Sequence, residues 1–220
     1  MKHNGHHSLN GTSIKNHRHF LPAEVREFTK HIEPDNAEKV NRIADLFEEI
    51  MLTLGLDTTE DSLKDTPRRV ANMYVNDLFW GLNPHQADMT TFENSYGYNG
   101  MLLEKNITVL SCCEHHFLPF IGKAHVAYIP NNRVIGLSKL NRIVQYYAAR
   151  PQVQERLTVQ VLDALKKILN TEDVAVMIEA EHMCLTLRGA KDPASRTVTV
   201  LYSGKFSEEK MKKEFTDAIG

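Results

Sequence analysis

The sequence predicts an α+β fold: an antiparallel four-stranded sheet with helices on one face, in the order ββααββ, preceded by an N-terminal helical region. Three observations predict it. Apolar residues recur at three- and four-residue spacing from residue 36, as in amphipathic helices. The texture then changes to short β-prone runs at 105–111 and 123–129, and again near 173–185 and 196–203. Two long amphipathic stretches lie between these pairs of runs, and that order describes a sheet covered by helices.

Each element has its own signal. Val40, Ile43, Leu46, Phe47, Ile50 and Leu54 form one helical stripe, which Gly55 ends. A second helix begins at Asp65-Thr66-Pro67, where Asp or Thr can cap and proline suits the first turn. Val70, Met73 and Tyr74 continue its apolar face, Gly81, Asn83 and Pro84 break it, and 85–100 reads as a loop. After the first two strands a helix runs from Ser138 to about Ala149 with Leu140, Ile143, Val144 and Tyr147 inward. Arg150-Pro151 interrupts, and a further helix carries Val153, Leu157, Val161, Leu165 and Ile168 to about Leu169. A charged helix over 207–218 closes the chain. The domain reading is a flexible His-rich extension at 1–35, a helical region at 36–98 and a catalytic domain at 99–220.

Bulk properties exclude several classes. The 220 residues carry a net charge of −2, so no global basic field points to nucleic acid. No apolar run approaches a membrane span, and no apolar stretch follows Lys2 as a secretory signal requires. Three cysteines, Cys112, Cys113 and Cys184, make no disulfide framework and fit a reducing cytoplasm. Six of the 11 histidines (His3, His6, His7, His17, His19 and His31) fall in the extension, which reads as a mobile tail or a metal-sequestering one.

Chemistry concentrates in Ser111-Cys112-Cys113-Glu114-His115-His116-Phe117. Cys113 and His116 have C-x-x-H spacing, which lets both reach one ion from a turn. Cys184 lies downstream in His182-Met183-Cys184; residues two apart on a strand share a face, so His182 and Cys184 can enter one site. Two thiolates and an imidazole leave a tetrahedral zinc one open position, as catalytic sites do. Alone, Cys184 reads as a small buried hydrophobe and the C-x-x-H as a weak signal; Cys112 reads as packing. The H-x-E and P-C-x-x-C pair of nucleoside deaminases is missing.

Two further segments bear on ligands. Ser138, Lys139 and Arg142 open a helix, where free N–H groups and two cations suit phosphate; read alone, they are an N-cap with two solvated charges. Arg188 adds a cation four residues after Cys184. Glu155 can accept from a guanine amino group and ring N–H, or is a surface glutamate on a helix.

Cys-Glu-His-His-Phe at 113–117, Gly-Leu-Ser-Lys-Leu-Asn-Arg at 136–142 and Arg-Pro-Gln-Val-Gln-Glu-Arg-Leu-Thr at 150–158 resemble the GTP cyclohydrolase I family. So do Asp-Thr-Pro-Arg-Arg-Val at 65–70, Ala-Tyr-Ile-Pro at 127–130, His-Met-Cys-Leu at 182–185 and Arg-Gly at 188–189. The resemblance spans about residues 36–219. It implies zinc on Cys113, His116 and Cys184, proton transfer by His115, His182 and Ser138, and guanine anchoring by Glu155 with Gln154. Ser138, Lys139, Arg142, Arg188 and Arg69 would bind triphosphate or ribose. It implies the tunnelling fold, assembled as a homodecamer with active sites between subunits and Arg69 reaching a neighbour. The implied reaction is zinc-dependent conversion of GTP to 7,8-dihydroneopterin triphosphate and formate in the cytoplasm, opening pterin and folate biosynthesis. Alternatives are a related tunnelling-fold enzyme on another pterin or purine, or a non-enzymatic structural zinc protein. A regulatory protein partner and allosteric control stay open.

Overall fold

The computed structural model describes residues 35–84 and 90–220, and Asn36–Gly220 forms one compact unit. The His-rich extension expected at 1–35 lies outside the described residues apart from Asp35.

Helix α1 spans Asn36–Thr53. It ends in a Schellman motif at Gly55 (φ +83), with Leu56 N–H on Met51 O at 3.1 Å and Gly55 N–H on Leu52 O at 3.0 Å. Only part of its expected stripe is covered: Val40 is buried, whereas Leu46, Ile50 and Leu54 are 53%, 52% and 72% exposed. Helix α2, Thr66–Asn72, starts with Pro67 in its first turn and continues as a π-helical turn over Met73–Leu78. A 3₁₀ turn, Trp80–Leu82, then meets the sheet domain. A Cβ on Gly81 would lie 2.1 Å from Tyr146 O, so only glycine lets the backbone approach this closely. Gly81 N–H donates to Ala149 O at 3.0 Å, and Arg150 Nε donates back to Gly81 O at 2.8 Å.

Strand β1 (Thr91–Glu93), in a stretch expected to be loop, pairs antiparallel with β4 (Arg133–Ile135). Strands β2 (Leu102–Cys113) and β3 (Pro119–Tyr128) form the first hairpin, with a bulge between Glu104 and Ile107 where Asn106 takes φ +62. Helix α3 (Leu137–Ala148), strand β5 (Pro151–Gln152) and helix α4 (Gln154–Leu169) follow. Strand β6 (Val174–His182), the one-turn helix α5 (Met183–Thr186), strand β7 (Thr197–Tyr202), a 3₁₀ turn (Gly204–Ser207) and helix α6 (Glu209–Ile219) complete the chain.

The main sheet runs β5-β2-β3-β6-β7. It is therefore five-stranded rather than four-stranded: Pro151-Gln152, just where Arg150-Pro151 was expected only to interrupt the helices, lies parallel to Cys112-Cys113. The other pairings are antiparallel. Helices α3 and α4 cover one face, where Leu140, Ile143, Val144, Leu157, Val161 and Leu165 pack on Val109, Ala124, Val126 and Ile178. The expectation of helices on one face holds for these two only. Alternation along β3 sends Ala127 to the opposite face, and there Phe206 and Phe215 of the C-terminal segment bury it with Ala175. Elsewhere on that second face Leu110, Ile121, Val198 and Val200 are exposed, while His125 is buried. No helix among the described residues is long and apolar enough to cross a membrane.

Candidate metal centre and active site

Strand β2 ends at Cys113, and the chain reverses through Glu114–Leu118. Cys113 N–H donates to Leu118 O and Phe117 N–H to Cys113 O, both at 2.8 Å, so the reversal is a closed turn. Phe117 takes φ +54, a left-handed conformation unfavourable for a bulky residue. Its ring is held edge-on by Phe79 at 5.5 Å and Tyr74 at 6.2 Å, tying the turn to the helical region.

The third candidate ligand arrives by a route the strand pattern did not predict. β6 stops at His182, and Cys184 rides on α5, so His182 and Cys184 are not two-apart neighbours on one strand. Thr186 Oγ1 donates to His182 O at 3.1 Å and fixes this tight turn. Cys184 nevertheless meets the others: the ligand atoms of Cys113, His116 and Cys184 all lie within 4.8 Å of one another. No other such group of Cys, His, Asp or Glu occurs among the described residues.

This donor set fits zinc. Two sulfurs and one imidazole nitrogen are borderline-soft ligands. Zn–S and Zn–N bond lengths imply ligand separations of about 3.5–3.8 Å around a tetrahedron, so a closing movement of about 1 Å suffices. Burial, then the adjacent Cys113 sulfur, pushes the Cys184 thiol pKa up, with Arg188 opposing; a dication would favour the thiolates instead. Arg188 Nη1 donates to His116 Nε2 at 2.7 Å, so the imidazole lone pair already faces positive charge.

The candidate proton-transfer residues differ sharply. His115 is exposed on the turn, its Nδ1 3.8 Å from Cys113 Sγ and its Nε2 3.9 Å from Glu114. His182 is half-buried and stacked on Phe120 at 4.6 Å and 13°. Its Nε2 lies 2.8 Å from Gln154 Oε1. The direction of that bond is fixed by the other end of the amide, because Gln154 Nε2 donates to Ile178 O and Thr197 O, both at 3.0 Å. Gln154 therefore presents its oxygen, and His182 must carry a proton on Nε2. Burial pulls the His182 pKa down while nearby Glu155 pulls it up, so the neutral imidazole has Nδ1 as its free lone pair.

Gln154 corrects an expectation. It is 1% exposed, and its amide is engaged by Ile178 O, Thr197 O and His182 Nε2 within the chain, where the expectation had it helping to anchor guanine. Glu155, the next residue, is exposed at the first turn of α4 and close enough to act on His182. Ser138 and Arg142 are exposed and Lys139 half-buried in the first turns of α3. Among the described residues no hydrogen bond or ion pair joins these three to the Cys–His–Cys group. Arg69 is exposed and pairs with Asp65 at 3.6 Å, likewise apart from it. Sequence reading missed Phe120 beneath His182, Phe117 as an anchor, and the Glu114–Arg156 ion pair at 2.5 Å. Only the glutamate inside Cys-Glu-His-His-Phe signalled the last of these.

Comparison with known proteins decides what this arrangement belongs to. The pattern of the family described as GTP cyclohydrolase I matches residues 43–220. The chain belongs to the GTP cyclohydrolase I family. It is 58% identical to a GTP cyclohydrolase 1 of Flavobacterium johnsoniae, over 83% of this chain and 82% of that one. It is 48% identical to the Enterobacter sp. GTP cyclohydrolase 1 over 85% of both chains, and 49% identical to that of Aeromonas salmonicida over 78% and 79%. Membership makes it an enzyme that converts GTP to dihydroneopterin triphosphate, as the motifs at 113–117, 136–142 and 150–158 implied.

Proposed function

We propose that this chain carries out zinc-dependent GTP opening and rearrangement with Cys113, His116 and Cys184 as metal ligands and His115 and His182 as proton-transfer residues. The observation that carries the reading is the convergence of three ligand atoms within 4.8 Å beside a histidine of fixed tautomer. A bound zinc ion supplies Lewis acidity that makes water nucleophilic near neutral pH.

The chain's own residues do the rest. Glu155 accepts from the guanine N1–H and amino group and sets the purine's orientation. Water adds at C8 and gives a proton to the free Nδ1 of His182, and N7 takes a proton from His182 so charged or from His115, opening the imidazole ring to a formamide. A second water releases C8 as formate. The ribose then opens and rearranges, with protons moved by the histidines and Ser138, and ring closure expels one water. Two waters enter and one leaves, so GTP and one water yield formate and 7,8-dihydroneopterin triphosphate. The triphosphate lies at the α3 N-terminus on Ser138, Lys139, Arg142 and Arg188, where free N–H groups and cations favour an anion. Arg69 serves a neighbouring subunit.

The remaining parts of the reading are a tunnelling fold in cytoplasmic homodecamers, with a helical region at 36–98, a catalytic domain at 99–220 and the His-rich extension before them. Open edges on β7 and on β2 outside its two-residue pairing with β5, among the described residues, support assembly of sheets into a ring.

The test is a product assay on the metal-replete protein with GTP. After oxidation and dephosphorylation, fluorescent neopterin should appear with formate, and both should vanish on chelation. Formate without neopterin would reject the rearrangement step. Activity that survives removal of all metal would reject the zinc role.

A further inference from the structure

The turn that carries two of the three ligands is clamped from outside by a residue with no part in the chemistry above. Arg156, in the first turn of α4, makes three directed contacts. Its Nε donates to Gln152 Oε1 at 2.8 Å, and its Nη2 donates to Pro151 O at 2.9 Å and to Glu114 Oε2 at 2.5 Å. Glu114 sits between Cys113 and His116 in the chain. Its own N–H donates to Gln152 O at 3.0 Å, so its backbone fastens it to β5 and its side chain to α4. Gln152 is 1% exposed and is itself held by Tyr147 O and Gln160 Oε1, each at 2.8 Å. The acceptors that receive Arg156 are thus rigid, and the guanidinium fork matches three of them at once, which a lysine ammonium on a flexible stem cannot do. At the far end of the same turn, the Phe117 ring locks into Phe79 and Tyr74.

We propose that Arg156 is a positioning residue: it fixes the ligand-bearing turn against the first turn of α4 and so sets the distance between metal and base anchor. The inference rests on the proposed metal ligands and on Glu155 as the guanine contact. Glu155 is the residue before Arg156, so one helical turn grips both the purine and the turn holding Cys113 and His116. The purine's C8 and its amino edge lie at opposite ends of a rigid ring system. A drift of the ligand turn relative to α4 would therefore misplace C8 while leaving the amino edge bound.

Cobalt-substituted protein separates this role from a merely structural one. Wild type should take one cobalt per chain and show thiolate-to-cobalt charge transfer. Without that absorption the ligand assignment fails, independently of Arg156. In Arg156→Gln the ligand-field bands should shift, metal affinity and kcat should each fall by about 10–100-fold, and KM for GTP should stay near the wild-type value. Arg156→Lys should recover part of both losses through the ion pair alone. An Arg156→Gln protein with wild-type bands, affinity and kcat would overturn the proposal. So would activity lost only in proportion to folded protein, with the folded fraction keeping wild-type bands. Should Arg156→Gln not fold, Glu114→Gln removes the same ion pair from its other partner, and unchanged bands there would overturn it equally.

Discussion

Gln154→Leu is the substitution with the largest reasoned consequence outside the ligands themselves. Leucine fills nearly the same volume, so little cavity forms, and the loss is almost purely polar. Three hydrogen bonds are lost: those of the amide to Ile178 O and Thr197 O, both on paired strands, and that from His182 Nε2–H. Thr199 Oγ1, also within 3.2 Å of the amide, keeps Thr158 Oγ1 at 2.7 Å and is not orphaned. The net contribution of one hydrogen bond is about 0.5–1.5 kcal/mol, so losing three costs about 3 kcal/mol. That is a large share of the roughly 5–15 kcal/mol that holds a domain together. His182, freed from the amide, can also rotate on Phe120 or change tautomer, and loss of a placed acid–base group lowers kcat by about 10²–10⁴-fold. Urea unfolding followed by circular dichroism, at one fixed chain concentration, reads the first effect; neopterin formation reads the second. A loss below about 1 kcal/mol together with undiminished kcat would refute the view of Gln154 as a buried hub.

Other perturbations separate neighbouring roles. Cys184→Ser should abolish both bound metal and turnover, whereas Cys112→Ser, at a 2% exposed position outside the Cys–His–Cys group, should retain both; metal content by mass spectrometry decides, and metal retained in Cys184→Ser rejects its ligand role. His125 offers a pH test. It is 6% exposed with no partner for Nδ1, and burial pulls its pKa below the ordinary 6.5, with Lys105 and Lys123 adding to the effect and Glu179 opposing. The unfolded chain therefore binds more protons than the folded one below about pH 6.5, so this site's contribution is complete above that pH and is lost as pH falls through the depressed value. His125→Leu should accordingly lose less stability than wild type between pH 7.5 and 5.5 in urea titrations; equal losses would exclude His125 as the source.

What the sequence made legible were features with a period or a fixed chemistry. The stripes of α1, α3 and α4 follow from 3.6-residue spacing, and Cys113, His116 and Cys184 stand out because thiols and imidazoles are rare and ligate well. Features set by tertiary closure were not legible. Apolar residues continue past His182 as Met183 and Leu185, so nothing local marks the end of β6 or the one-turn helix that delivers Cys184. Pro151-Gln152 is too short to carry a strand pattern and becomes a strand only because β2 lies beside it. Nothing local in the sequence marks Gln154 as buried. Its burial comes from a position above β6 and β7, whose carbonyls take up the amide. Phe206 and Phe215 announce burial, but not which sheet face receives them.

The uncovered stripe on α1 gives the proposed assembly its own test. Leu46, Ile50 and Leu54 recur every four residues, lie on one helix face, and are 53%, 52% and 72% exposed in the single chain. Helix propensity alone does not favour this run of leucine and isoleucine on a solvated face, because alanine and charged residues serve there equally well. A second chain covering the stripe accounts for it, at about 1.5–3 kcal/mol for each large side chain removed from water. Ile50→Lys sits mid-stripe and touches neither the Cys–His–Cys group nor the sheet core. It should leave the far-ultraviolet spectrum and the metal content intact while lowering the sedimenting mass, because a buried ammonium opposes the contact. Wild-type mass in that variant would show that α1 faces solvent in the assembled protein, and the stripe would then have no packing role.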